Sequence, residues 1–155
     1  MIWEMLDKNL IVTGLQADTY EDVMENLGSI VVKEGYAKES YVNALKTREA
    51  EFPTGLNVDG IGVAIPHTAV EHVNKVGVAV AILEKPVTFI EMGSEDDEVE
   101  VQIVFMLAVV DPNAHLDQLQ RIIGIIQDTE VLNKLLSAKD ADDIIETLKE
   151  KEATM

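Results

Sequence analysis

Two apolar runs, Gly77–Leu83 and Val101–Val110, constrain this chain more than any other feature. Neither alternates with polar residues as a half-solvated strand would, and both are too short to cross a bilayer as a helix. Runs of this kind suit central strands covered on both faces. Helical periodicity lies on either side of them. Asp18 followed by Glu21 has the spacing of an N-terminal cap, opening a helix with Val23, Leu27, Ile30 and Val31 on its apolar face and Gly35 as terminator. A second helix is predicted from about Glu39 to Ala50, burying Tyr41, Val42 and Leu45, with Pro53 and Gly55 forcing a loop after it. His115 opens a third, with Leu116, Leu119, Ile122, Ile123 and Ile126 at helical spacing. Shorter helices are predicted at Thr129–Leu136 and Ala141–Glu150, with a fraying tail from Lys151 to Met155. Leu10–Val12, Gly62–Ile65 and Val87–Ile90 are shorter candidate strands, and the acidic stretch Met92–Glu100 is turn-like. The alternation predicts an α/β fold, a mixed β-sheet flanked by helices, in a single domain spanning residues 1–155.

Composition narrows the function. The chain is 47% hydrophobic, enough for one ordinary core, and holds no cysteine, so neither a disulfide nor a thiolate nucleophile is available to it. No apolar run is long enough to span a membrane and the first residues lack a signal-peptide pattern, so a cytoplasmic protein without direct membrane insertion is expected. Twenty-nine acidic residues against twelve basic ones give a formal charge of -17. Such a surface repels phosphate backbones, so nucleic acid is not expected as a partner, and it favours encounter with a basic protein.

The chemistry concentrates around Gly60-Ile61-Gly62-Val63-Ala64-Ile65-Pro66-His67-Thr68. A buried strand runs into Pro66, which lacks a backbone donor and ends the pairing, and the next side chain is an imidazole at the strand's carboxyl end. An imidazole there can bind metal, move a proton or take a phosphoryl group. His115 follows the last strand, so both histidines are expected at one edge of the sheet, the second at a helix start where backbone N–H groups are unpaired. Arg48 precedes the Pro53-Thr54-Gly55 loop that leads into the His67 strand. Two imidazoles, a guanidinium and a helix N-terminus together suit a phosphoryl group. By residue type alone the bland readings stand beside this one: His67 as a hydrogen-bonded loop residue, and Arg48 as a solvated residue paired with Glu49 or Glu51.

Arg48-Glu49, Pro53-Thr54-Gly55, the Gly60–His67 run and His115-Leu116-Asp117-Gln118-Leu119, in this order, resemble the IIA component of the bacterial sugar phosphotransferase system, fructose/mannitol class. Glu51-Phe52-Pro53-Thr54-Gly55 and His72 are most similar to galactitol-type members. The resemblance implies a phosphohistidine relay: a phosphoryl group is taken from the phosphocarrier HPr onto His67 and passed to a cysteine of a IIB component working with a membrane IIC component, for uptake of galactitol or a fructose-like sugar. It implies catalytic roles for His67, His115 and Arg48, phosphoryl contacts from Arg48, His115 and Thr54, and no metal or other cofactor. Thr68 after the histidine and Asn57-Val58-Asp59 before the strand depart from the family pattern without removing a proposed catalytic group.

Two other functions compete. A IIA-like regulator would use its phosphorylation state to control binding to a non-transport partner. Alternatively the three histidines could form a metal site, although no tight ligand spacing supports it. His72 is read as a surface or loop-ordering residue, and Asp140-Ala141-Asp142-Asp143 as a helix start favouring negative charge, since it lacks the glycine and spacing of a calcium loop. Met92 and Met106 are expected to be packing residues.

Overall fold

The computed structural model describes residues 1–155 apart from Pro112, Ala114 and His115. Its centre is a five-stranded sheet of β1 (Leu6–Leu15), β2 (Gly55–Val58), β3 (Ile61–Ala64), β4 (Gly77–Ile90) and β5 (Glu98–Ala108), in the order β1-β4-β5-β3-β2. The two apolar runs form the antiparallel β4–β5 pair at its heart, while β1 runs parallel to β4 and β3 parallel to β5. Successive side chains point to opposite faces. Ala79, Ala81, Val104 and Met106 therefore meet α1 (Tyr20–Lys33) and α2 (Tyr41–Glu51) on one side. Val78, Val80, Ile103, Phe105 and Leu107 meet α3 (Pro112–Ile126), α4 (Thr129–Leu136) and α5 (Ala141–Ala153) on the other. A mixed sheet between two helical layers is the architecture predicted. Among the described residues no helix is long and apolar enough to cross a membrane.

Several elements differ from expectation, each for a physical reason. Gly77–Leu83 and Val87–Ile90 are one strand, with a register shift between Ile82 and Val87 where Glu84, Lys85 and Pro86 are exposed. Proline cannot donate to a ladder, so the pairing bulges around it. Leu10–Val12 is the middle of the longer β1, whose flanking polar residues are tolerated because it is an edge strand. Strand β2 was not anticipated: it pairs antiparallel with β3 across Asp59-Gly60, whose φ values of 50° and 89° are those of a two-residue hairpin turn. The cap of α1 is Thr19, whose hydroxyl accepts from Asp22 N–H at 3.2 Å, not Asp18, whose carboxylate holds Lys85. The expected fraying tail is instead ordered by Glu152, 1% exposed, which accepts from the backbone N–H groups of Ile2 (3.0 Å) and Trp3 (2.7 Å). Those N–H groups open a short 3-10 turn at Ile2–Met5 and have no partner within it. The helix expected to open at His115 spans Pro112–Ile126, with the Asp111 side chain accepting from Asn113 N–H. It buries Ile122, Ile125 and Ile126 but leaves Leu116 in solvent, and Met92 is likewise exposed while Met106 lies in the core.

One residue of β5 ties the site together. Leu107 donates its N–H to the carbonyl of Pro66 at 2.9 Å, continuing the β3–β5 ladder past the proline that cannot donate back. Its carbonyl accepts the buried Tyr41 hydroxyl of α2 at 2.7 Å. Burial pushes that phenol far above its ordinary range, so Tyr41 acts only as a neutral donor. The end of β3 and the start of α2 are thus both fastened to the same residue of β5.

Candidate active site

His67 is half-buried, three residues beyond the end of β3, and its Nδ1 lies 2.8 Å from the carbonyl oxygen of Ile65. A carbonyl can only accept, so Nδ1 carries a proton, and in the neutral ring the lone pair then lies on Nε2. This hydrogen bond fixes which ring nitrogen faces the backbone. Because β3 and β5 are parallel neighbours, the segments that follow them leave the sheet at the same edge. The segment after β5 therefore leaves the sheet on the His67 side of the fold; His115, expected there, lies outside the described residues.

Arg48 stands in the last turn of α2, its guanidinium 5.1 Å from the centroid of the exposed Phe52 ring. Its buried Nε has no hydrogen-bond partner among the described residues, a donor kept out of water without an acceptor. A cleft of about 470 Å³ opens here, with Arg48, Thr47, Ser40, Phe52 and His72 in its wall together with Thr68 and Ala69, the two residues after His67. The folding brings Arg48 and the His67 segment to one depression although nineteen positions separate them (67 − 48). An anion entering it meets a fixed guanidinium donor.

His72 lines the same cleft, with Nδ1 2.9 Å from the Ser40 hydroxyl and its backbone carbonyl accepting from Lys38 N–H at 2.9 Å. These bonds hold the 68–76 segment against the start of α2, in keeping with the loop-ordering role expected of it. Among the described residues no group of three His, Cys, Asp or Glu could hold a metal ion.

Thr54 is buried, and both of its donors are committed inside the protein. Its N–H lies 2.6 Å from Glu49 Oε2 and its hydroxyl 2.7 Å from Glu49 Oε1. Glu49 is the residue that sequence reasoning missed, having been weighed only as a surface partner of Arg48. It is 6% exposed, and burial holds its carboxyl above the usual glutamate range although the two Thr54 bonds pull the other way. A signal was present: Tyr41, Leu45 and Glu49 fall at i, i+4 and i+8, which puts the carboxylate on the apolar stripe of α2.

Comparison with known proteins identifies the family. Residues 4–151 match the family model described as "Phosphoenolpyruvate-dependent sugar phosphotransferase system, EIIA 2". The galactitol-specific EIIA component of Escherichia coli K12 is 28% identical over 130 residues, covering 83% of this chain and 86% of that protein. The mannitol-specific EIICBA component of the same organism is 30% identical over 141 residues, covering 89% of this chain but 21% of that longer protein. Among solved structures, a chain of the complex of enzyme IIA mannitol with phosphorylated enzyme IIB mannitol from Escherichia coli superposes with a TM-score of 0.75 at 28% identity, over 92% of this chain and 96% of that one. A match over almost the whole length, on a fold of the same design, makes this chain a member of the EIIA 2 family and thus a phosphotransferase component of a phosphoenolpyruvate-dependent sugar phosphotransferase system.

Proposed function

We propose that the chain relays a phosphoryl group through Nε2 of His67, accepting it from the phosphohistidine of HPr and passing it to a cysteine of a IIB component that serves a membrane IIC component. The observation that carries this is the Nδ1–H···O bond to Ile65 at 2.8 Å, which in the neutral ring makes Nε2 the nucleophilic nitrogen. In the first step the donor's N–P bond breaks as the Nε2–P bond forms, and the donor imidazole leaves with the electron pair. In the second step a IIB thiolate attacks phosphorus, an S–P bond replaces the N–P bond, and neutral His67 is regenerated. Neither step needs a proton delivered from outside or a redox change. In-line phosphoryl transfer demands position and charge stabilisation more than covalent chemistry. Arg48 supplies a fixed guanidinium on the His67 side of α2, and His115 is assigned the second contact to the equatorial oxygens. Thr54, whose hydroxyl proton is held by Glu49, supports the site from behind instead of reaching the phosphoryl oxygens.

The IIB partner is supported by the complex formed by the mannitol relative, and a galactitol-type sugar by the name of the Escherichia coli relative. We take residues 1–155 to work as one domain on the cytoplasmic side of the membrane component. The test is a stepwise transfer followed by intact mass. Incubation with phosphoenolpyruvate, enzyme I and HPr should add one acid-labile phosphoryl group, and addition of a galactitol-type IIB should move it to that protein. A label that forms but is never surrendered to any IIB would overturn the transport reading, and a wild-type chain that acquires no label would overturn the relay.

A further inference from the structure

We propose that Glu49 is a positioning residue for phosphoryl transfer, its carboxylate clasping Thr54 so that Arg48 keeps a fixed distance from the hairpin that carries His67. The inference rests on the reading of His67 as phosphoryl acceptor and adds a device that makes the acceptor work. A carboxylate on the buried face of a helix has lost its water and stays there only if donors replace it. Thr54 provides both, N–H to Oε2 at 2.6 Å and hydroxyl to Oε1 at 2.7 Å. The two oxygens are consumed by one residue, five positions along the chain, so the clasp closes a single short loop.

What the loop joins gives the clasp its consequence. At one end Glu49 adjoins Arg48 in the last turn of α2, where the Arg48 carbonyl takes the N–H of Phe52 at 2.6 Å. At the other end Thr54 adjoins Gly55, which pairs with Ala64 in the β2–β3 hairpin, and Ala64 stands three residues before His67. Gly55 also accepts from Met92 N–H at 2.7 Å, so that end is anchored to the sheet as well. Between the two ends Phe52 is 59% exposed and Pro53 has no N–H to contribute. The bonds from Thr54 to Glu49 therefore tie the last turn of α2, with Arg48 on it, to the strand pair that delivers His67. Transfer rates are steep in such distances: an error of about 1 Å costs on the order of 100-fold.

The test compares broken and mended clasps in the full chain, using single-turnover labelling by phospho-HPr over a range of donor concentrations, with each variant first shown to be folded by its thermal transition. Glu49→Ala should lower the rate constant at saturating donor by roughly 10- to 100-fold while the half-saturating donor concentration stays within about twofold, because docking is untouched. Glu49→Gln should recover most of the rate, since its carbonyl can take the Thr54 N–H and its amide can donate to a turned hydroxyl. Thr54→Val removes one bond and keeps the shape, giving a milder version of the defect in a protein that keeps its fold, and Thr54→Ser should restore it. A folded Glu49→Ala or Thr54→Val variant that accepts at the wild-type rate would overturn the inference. So would a glutamine variant as slow as alanine, or a loss confined to the half-saturating concentration. A wild-type chain that is never labelled strikes the relay reading itself, which the variants alone do not.

Discussion

Replacement of His67 by alanine is expected to leave a folded protein that takes no phosphoryl group from phospho-HPr. The expectation follows from the inventory of nucleophiles. The chain has no cysteine, and the neutral tautomer of His67 that donates to Ile65 places its lone pair on Nε2 at the carboxyl end of β3. His72 lines the neighbouring cleft, but its Nδ1 is engaged with Ser40 and its Nε2 lies 3.7 Å from Glu71, so it is no substitute. Removing the nucleophile is therefore an all-or-none loss of covalent acceptance, not a graded slowing. Stability should fall little, by about 1 kcal/mol, because the side chain is only half-buried and its bond to the Ile65 carbonyl is a local one. Intact mass with the full donor mixture, alongside a thermal melt, checks both halves. A variant labelled at the wild-type rate would remove His67 from the mechanism.

Gly62→Ala is expected to be the most damaging small change in the strand that carries His67. Gly62 pairs with Val101, and a Cβ built on it would lie 1.9 Å from the carbonyl oxygen of Glu100 and 2.9 Å from the Val101 Cα. Those are backbone atoms of a central strand and cannot swing aside as a side-chain tip could. Overpacking in cores costs about 1–3 kcal/mol and occasionally more. Here β3 must separate from β5 or slip, so a loss of about 3 kcal/mol or greater is expected. For a domain of this size that lowers the melting temperature by roughly 6–12 °C. Urea denaturation should show a lower midpoint, and surviving folded protein should accept phosphoryl groups slowly because His67 is displaced with its strand. A loss under about 1 kcal/mol would mean that the β3–β5 contact is looser than the structure has it.

Much of this architecture could be read from residue order because local and tertiary preferences agree. Gly77–Leu83 and Val101–Val110 show no alternation with polar residues, and they form the strand pair covered by helices on both faces, Val110 past the end of β5 standing in solvent. The differences arise where two local solutions were equally good and a distant residue chose. Asp18 and Thr19 both have capping chemistry, and Lys85 on β4 takes Asp18, leaving Thr19 for the helix. The tail is ordered because the 3-10 turn at the opposite end of the chain has N–H groups for Glu152 to satisfy, a match made across 150 positions. Strand β2 is a different matter, since Asp59-Gly60 is a strong hairpin signal that the polar look of Asn57-Val58-Asp59 concealed.

The same division runs through the site. His67 and Arg48 were legible because each residue type sits where a strand or a helix ends, and the cleft brings Arg48 beside Thr68 and Ala69. The ring nitrogen that donates to the backbone was not legible: it depends on the direction of one carbonyl, Ile65, which is set by the turn that Pro66 imposes and by the bond from Leu107 to Pro66. Glu49 could have been found by asking what a carboxylate does on the same helical stripe as Tyr41 and Leu45. Its partner could not, since Thr54 reaches it only across a loop whose path is set by Pro53 and the β2–β3 hairpin.

The central claim is that the unprotonated Nε2 of His67 becomes the phosphoryl carrier, and ring-nitrogen NMR tests it most directly. Protein labelled with 15N in its histidines would be observed before and after incubation with phosphoenolpyruvate, enzyme I and HPr. The account predicts that His67 begins as the Nδ1-protonated tautomer and that the new phosphorus–nitrogen coupling falls on its Nε2. Coupling to Nδ1 of His67, or to a nitrogen of His72 or His115, would contradict it.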